Sequence, residues 1–131
     1  MKSIQTDKIL KTWSKEYKKG FFGYFILLFL KERSMYGFEI KKRLNEIFQA
    51  KITFQDSAIY QILKKLEKNG MVSSHWEKSN LGPKRKYYTI EVAGEDLSKV
   101  FTRDYVLPIL TTASRLVQGY FPDFFKQEAA Q

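Results

Sequence analysis

The densest apolar run in the chain is FFGYFILLFL, Phe21 to Leu30, which carries no charge. A membrane span needs roughly 20 such residues, and the run is followed by Lys31-Glu32-Arg33 rather than by the small residues of a signal-peptide cleavage site. It therefore reads as a buried core helix. Ahead of it, residues 1–20 hold six Lys and two acids, with Ile4, Ile9, Leu10 and Trp13 at partly helical spacing. This predicts a basic N-terminal arm or short helix that packs on something. From Tyr36, YGFEIKKRLNEIF sets Ile40, Leu44, Ile47 and Phe48 at i, i+4, i+7 and i+8, with a basic opposite face, the pattern of an amphipathic helix. In DSAIYQILKKLEKNG, Ile59, Ile62, Leu63 and Leu66 repeat the stripe, and Gly70 suits the stop. The start of this third helix is open, because Thr53 and Asp56 make a T-x-x-D pattern while Gln55 or Asp56 could cap a later start.

Beyond Gly70 the period shortens. Met71 to Trp76 alternates, Val72 and Trp76 on one side and Ser73 and His75 on the other, as a short strand does. Asn80-Leu81-Gly82-Pro83 is turn chemistry, and Lys84 to Ile90 returns through the strand formers Tyr87, Tyr88, Thr89 and Ile90. The result is a hairpin with a basic tip. A long helical stretch then runs from Gly94 to Gly119. Pro108 should kink or divide it, since it cannot donate to the Asp104 carbonyl, and Pro122 should stop it. The expected fold is mainly α with a small β hairpin: a winged helix-turn-helix at 21–91, preceded by the basic arm at 1–20 and followed by a C-terminal dimerisation helix at 92–131.

Composition sharpens this plan. At 131 residues the chain suits one domain with an appendage. Lys and Arg number 23 against 14 Asp and Glu, a net charge of +9, which favours a polyanionic partner. Seven of those cations fall within residues 57–90 against only Glu67 and Glu77, so more than half of the excess belongs to the third helix and the hairpin. The absence of Cys excludes disulfides, thiolate metal sites and a Cys nucleophile, and is compatible with a cytoplasmic protein. Aromatic residues make up 16% of the chain, too many for a disordered basic tail.

With the apolar stripe of the third helix turned inward, Ser57, Ala58, Tyr60, Gln61, Lys64 and Lys65 face away. Small residues at the helix start permit close approach, and the free amides there attract phosphate. Gln61 can offer two hydrogen-bonding groups to an adenine edge, while Tyr60, Lys64 and Lys65 can reach the backbone. Lys84, Arg85 and Lys86 add three cations on the hairpin, suited to a phosphate backbone or a minor groove. Taken alone, polar residues on a helix are a solvated face and a basic hairpin is a solubilising loop. Their conjunction favours double-stranded DNA as the partner. In the C-terminal stretch, Leu97, Phe101, Tyr105, Leu110 and Leu116 belong to more apolar surface than a three-helix head can cover, which predicts a homodimer. A two-fold dimer should read an approximate inverted repeat.

ILLFLKERSMYGFEIKKRL, DSAIYQILKKLEKNGMV and GPKRKYYTIEVAGEDL, in this order between about Lys19 and Gly94, resemble the PadR family of transcriptional regulators. Tyr36-Gly37-Phe38 is similar to the family's Tyr-Gly-Tyr, Ile59-Tyr60 to its Leu-Tyr, and Lys86-Tyr87-Tyr88 to its basic-Tyr-Tyr. The resemblance implies DNA contacts from Tyr36 at the start of the second helix, from Ser57, Ala58, Tyr60 and Lys64, and from Arg85 and Lys86. It also implies a homodimer held by the last helix with help from the N-terminal arm. One departure is Glu91-Val92-Ala93-Gly94 where the family has Thr-Glu-Ala-Gly, which exchanges a good N-cap for a poor one.

No catalytic arrangement is expected. His75 is the only His, with no acid at a spacing that marks a general base, and Glu32, Glu39, Glu67 and Glu77 read as surface charges beside Lys or Arg. No metal site, cofactor or phosphate-cradling glycine motif is visible. Trp76, Phe101 and Tyr105 could stack on a small aromatic effector, although aromatics at such spacing more often simply pack. The expected function is a DNA-binding regulator, most simply a repressor. The rival readings are a non-specific nucleic-acid binder, or a module for an acidic partner or membrane surface. A membrane binder would set its cations beside exposed apolar residues on one amphipathic helix, whereas here they lie on two elements.

Overall fold

In the computed structural model of the chain, residues 4–48 and 56–129 are described, and they fall into two compact units, Met1–Glu95 and Asp96–Gln131. The first unit opens with α1, Ile4–Glu32, then β1, Met35–Tyr36, and α2, Gly37–Phe48. It continues with α3, Asp56–Lys68, and the hairpin β2, Val72–Ser79, and β3, Gly82–Ile90. A helix α4, Val92–Phe101, runs out of it. The mainly helical winged helix-turn-helix expected from the pattern is the fold observed.

The core forms where the apolar stripes of α1, α2 and α3 meet the inner face of the sheet. Ile26, Met35, Ile40, Leu44 and Leu63 are wholly buried, with Leu27, Phe29, Leu30, Ile59 and Val72 around them. Ile62 and Leu66 pack at its margin, whereas Ile47, one turn beyond Leu44, stands half exposed. The helix α3 ends as its sequence requires. Gly70 adopts a φ of 76°, Met71 N–H donates to the Leu66 carbonyl at 2.9 Å and Gly70 N–H to Glu67 at 3.0 Å. That pair of bonds is a Schellman stop, which needs the left-handed conformation glycine takes without strain.

Several expectations are corrected. No break separates residues 1–20 from the core helix: α1 is one helix through Gly20, since nothing between Ile4 and Glu32 is a proline or a stop signal. Thr53 and Gln55 lie outside the described residues, and α3 is described from Asp56. The sheet has three strands in the order β1-β3-β2, not two, because Met35 and Tyr36 pair antiparallel with Tyr88 and Tyr87. Tyr36 thus lies in a strand just before α2 rather than in the helix. The Ser34 and Thr89 hydroxyls, 2.7 Å apart, reinforce that pairing. The hairpin turns at Asn80-Leu81, between paired Ser79 and Gly82, so its tip is not basic. Arg85 and Lys86 sit opposite Glu77 and Trp76 inside the ladder, and Lys84 precedes them on the same strand.

The last helix begins at Val92 rather than Gly94, and Gly94 has a different task. A Cβ there would stand 2.2 Å from the Met71 carbonyl oxygen, which accepts the Glu91 N–H at 3.0 Å. In the second unit, Thr102–Val106 winds as a wide π-helical turn closed by Leu107 N–H on the Thr102 carbonyl. The helix α5, Leu107–Tyr120, follows. Pro108 follows this π turn directly, and Val106 and Leu107 before it keep right-handed helical dihedrals, so the stretch is bulged at the proline rather than broken. Phe121 leaves the helical conformation, and Pro122 then opens a further helix, α6, Pro122–Ala129, that the sequence pattern did not suggest. Among the described residues no helix is long and apolar enough to cross a membrane.

Candidate nucleic-acid interface

The spacing of α3 puts Tyr60, Lys64, Glu67 and Lys68 on one outward line, at i, i+4, i+7 and i+8. The hairpin stands beside this line and closes an open groove of about 850 Å³. Of the ten residues proposed to meet DNA, Tyr36, Tyr60, Lys64, Lys84, Arg85 and Lys86 line it together. Ser57, Ala58, Gln61 and Lys65 are exposed on α3 but do not line the groove.

Gly37, Phe38, Glu67, Lys68, Trp76 and Tyr88 also line the groove, beyond the residues the sequence pattern points to as DNA contacts. Signals existed for two of them. Lys68 is one turn beyond Lys64, and Phe38 is an aromatic residue off the Ile40 and Leu44 stripe. Of the three aromatics that the sequence suggests for an effector, Trp76 lines this groove, while Phe101 and Tyr105 stack on each other in the second unit at 5.5 Å and 23°.

Aromatic contacts order the cations. The Arg85 guanidinium lies 4.6 Å from the centre of the Tyr36 ring, which stacks on Phe38 at 6.2 Å and leans on Tyr87 at 5.5 Å. Such a cation over an aromatic face gains about 0.5–1 kcal/mol at an exposed site. Lys86 Nζ lies 5.6 Å from the Tyr88 ring centre. On α2, Gly37 makes room for Tyr60, whose ring atoms would come within 2.7 Å of an added Cβ. At the start of α3, Lys41 bridges to Asp56 at 2.5 Å and ties it to α2.

Five cations face one acid in the groove, Glu67, and its Oε1 accepts a bond from the Ser74 hydroxyl at 2.8 Å. Burial pushes the Tyr88 phenol above its ordinary range, and the Glu67 and Tyr60 charges add to the effect. Away from the groove several acids join one element to another. Glu32 joins α1 to α2 through Arg43 at 2.6 Å, and that hydrogen bond holds its carboxyl below the usual range. Glu39 pairs with Arg33, and raises the guanidinium above its ordinary value. His75 has an acid neighbour after all: strand alternation brings Glu77 Oε1 to 2.9 Å from Nε2, with Tyr87 stacked on the ring at 6.0 Å. Both partners are half exposed on an open sheet face, an arrangement that ties two strand residues together. No group of three or more His, Asp or Glu able to hold a metal occurs among the described residues.

A recognition helix beside a basic three-stranded wing, on a three-helix core, defines a winged helix-turn-helix protein. The family model of the PadR-like transcriptional regulators matches residues 26–99, and the chain belongs to that family. A PadR-like transcriptional regulator from Bacillus cereus is similar at 28% identity, over 79% of this chain and 97% of that one, with a TM-score of 0.68. Bacillus subtilis PadR, solved in complex with operator DNA, shares the fold at 24% identity and a TM-score of 0.54, over 60% of this chain and 44% of that one. An uncharacterized protein of Lysinibacillus sphaericus is 26% identical over 77 residues, 59% of this chain and 71% of its own.

Proposed function

We propose that this protein is a sequence-specific DNA-binding regulator that acts as a homodimer on an inverted-repeat operator in the cytoplasm and represses by occupying a promoter. The observation that carries the reading is the groove, where Tyr60 and Lys64 of α3 stand beside Lys84, Arg85 and Lys86 of β3. The exposed start of α3 enters the major groove with Gln61 toward base edges, and the wing cations follow the phosphates. The operator complex of the Bacillus subtilis protein supports this use of the fold. Dimerisation is supported by the second unit, whose Leu97, Leu110 and Leu116 are exposed. Two copies would set their recognition helices at half-sites roughly 34 Å apart.

The test is a binding series on duplexes selected from genomic DNA. Replacing Gln61 by Ala should relax sequence preference, at about 1–3 kcal/mol for a lost base contact. Lys84→Ala and Arg85→Ala should weaken all duplexes alike and flatten the salt dependence. Sequence-blind losses from all three variants would overturn readout by α3. Against the reading of a non-specific binder, the wild type should prefer its operator over unrelated DNA by about 10³-fold at fixed salt.

A further inference from the structure

The duplex reading employs the cations of the groove and leaves two large side chains without a task. Trp76 is 64% exposed and Phe38 is 62% exposed, and both line the groove. Phosphate groups offer such rings no apolar surface, and the bases of a duplex have their faces covered by their neighbours. An unpaired base has a free face, and stacking it on an exposed ring removes apolar area of both from water. We propose that this groove also binds single-stranded DNA, with unpaired bases stacked on Trp76 and Phe38 and the backbone held by Lys64, Lys68 and Lys84.

Three features of the groove favour that occupant. The first is charge: Glu67 is the groove's one acid, and its carboxylate is engaged by Ser74, so a polyanion meets little opposition. The second is order before binding. Phe38 is already stacked on Tyr36 at 6.2 Å and 21°, and Tyr36 carries Arg85 at 4.6 Å, so the platform is assembled and little side-chain freedom remains to be lost. The third is position: Trp76 is paired with Lys86 across the hairpin, so an aromatic face and a cation are presented at one rung. A cationic groove interleaved with exposed rings is the arrangement that single-strand binders use, and it tolerates many sequences because every base has a face to stack.

This mode shares the cations with duplex binding but depends more steeply on Trp76 and Phe38, so the two readings can fail separately. Trp13→Phe leaves Trp76 as the only tryptophan. In that background, oligothymidine should quench the emission at low salt, and an abasic strand of the same length should not. Trp76→Ala and Phe38→Ala, each checked for fold by circular dichroism, should each weaken oligothymidine binding by about ten-fold and by clearly more than they weaken duplex binding. Equal binding of the abasic strand would overturn the proposal, because charge alone would then suffice. So would an equal loss of duplex affinity in the two variants, which would give the aromatics to operator recognition. Tighter binding of oligouridine than of oligothymidine would overturn the assignment to DNA.

Discussion

The two units of this chain use the same kinds of apolar residue to opposite ends. In Met1–Glu95, Ile26, Ile40, Leu44 and Leu63 from three different helices close on one another and on the sheet until no water reaches them. In Asp96–Gln131, Leu97, Val100, Tyr105, Leu107, Ile109, Leu110 and Leu116 are all at least 42% exposed. The one residue wholly buried there, among those described, is Ser98. Helical periodicity is present in both. The first unit has helices crossing three ways and a sheet to supply opposing surface, whereas α5 meets the short α6 and the π turn and leaves most of its apolar side chains exposed. An apolar stripe is an instruction to bury, and the number of elements around it decides whether one chain can comply.

Substitutions in the first unit should break that contrast most. Leu63→Ala should cost about 2–5 kcal/mol in thermal or urea unfolding, because the cavity lies where three helices meet. Gly94→Ala drives a Cβ against the Met71 carbonyl, 2.2 Å away, and backbone on both sides cannot yield. About 2–3 kcal/mol is the expected loss. If either variant melts like the wild type, the first unit is not the self-sufficient core described.

In the second unit Leu110→Lys should leave the helix content intact yet weaken self-association by about 100-fold or more, because two copies would bury two unpaired charges. Sedimentation velocity over a concentration series checks this, and an unchanged dimer would remove α5 from the interface. At the groove, Gly37→Ala obliges the Tyr60 ring to swing away. Tyr60 is exposed and can do so, so the melting temperature should barely move while duplex affinity falls by about ten-fold, which corresponds to about 1.4 kcal/mol. A variant that lost stability instead would show that Tyr60 belongs to the core. The smallest effect is expected at Glu91, which stands one residue before Val92 in the N-cap position of α4. Glu91→Thr should stabilise the protein by about 0.5–1 kcal/mol in thermal unfolding; a lowered melting temperature would mean that the bond from Glu91 N–H to Met71 depends on the native side chain.

Much of the site could be read from residue order, and the reason is local. Tyr60, Lys64 and the inward Ile59 and Leu63 are related by the helical repeat, and strand alternation relates Val72 to Trp76. The parts that escaped depend on pairings between distant residues. The pattern Tyr36-Gly37-Phe38 suggests a helix start; only pairing with Tyr87, far along the chain, makes Tyr36 a strand residue. Arg85 was placed at a tip because three cations follow Gly-Pro; the two-residue turn at Asn80-Leu81 draws them into the ladder. Trp76 and Phe38 carry no mark that they share a groove.

The sequence by itself determined where the helices of the first unit lie, the Gly70 stop, the hairpin and the concentration of positive charge between residues 57 and 90. Each depends on hydrogen bonds or side-chain spacing within a few residues. Tertiary structure alone decided that a two-residue strand completes the sheet, and that Tyr36, Phe38, Tyr60 and Trp76 meet five cations around one groove. Those outcomes follow from the burial of one shared core, which brings distant residues together without regard to their order in the chain.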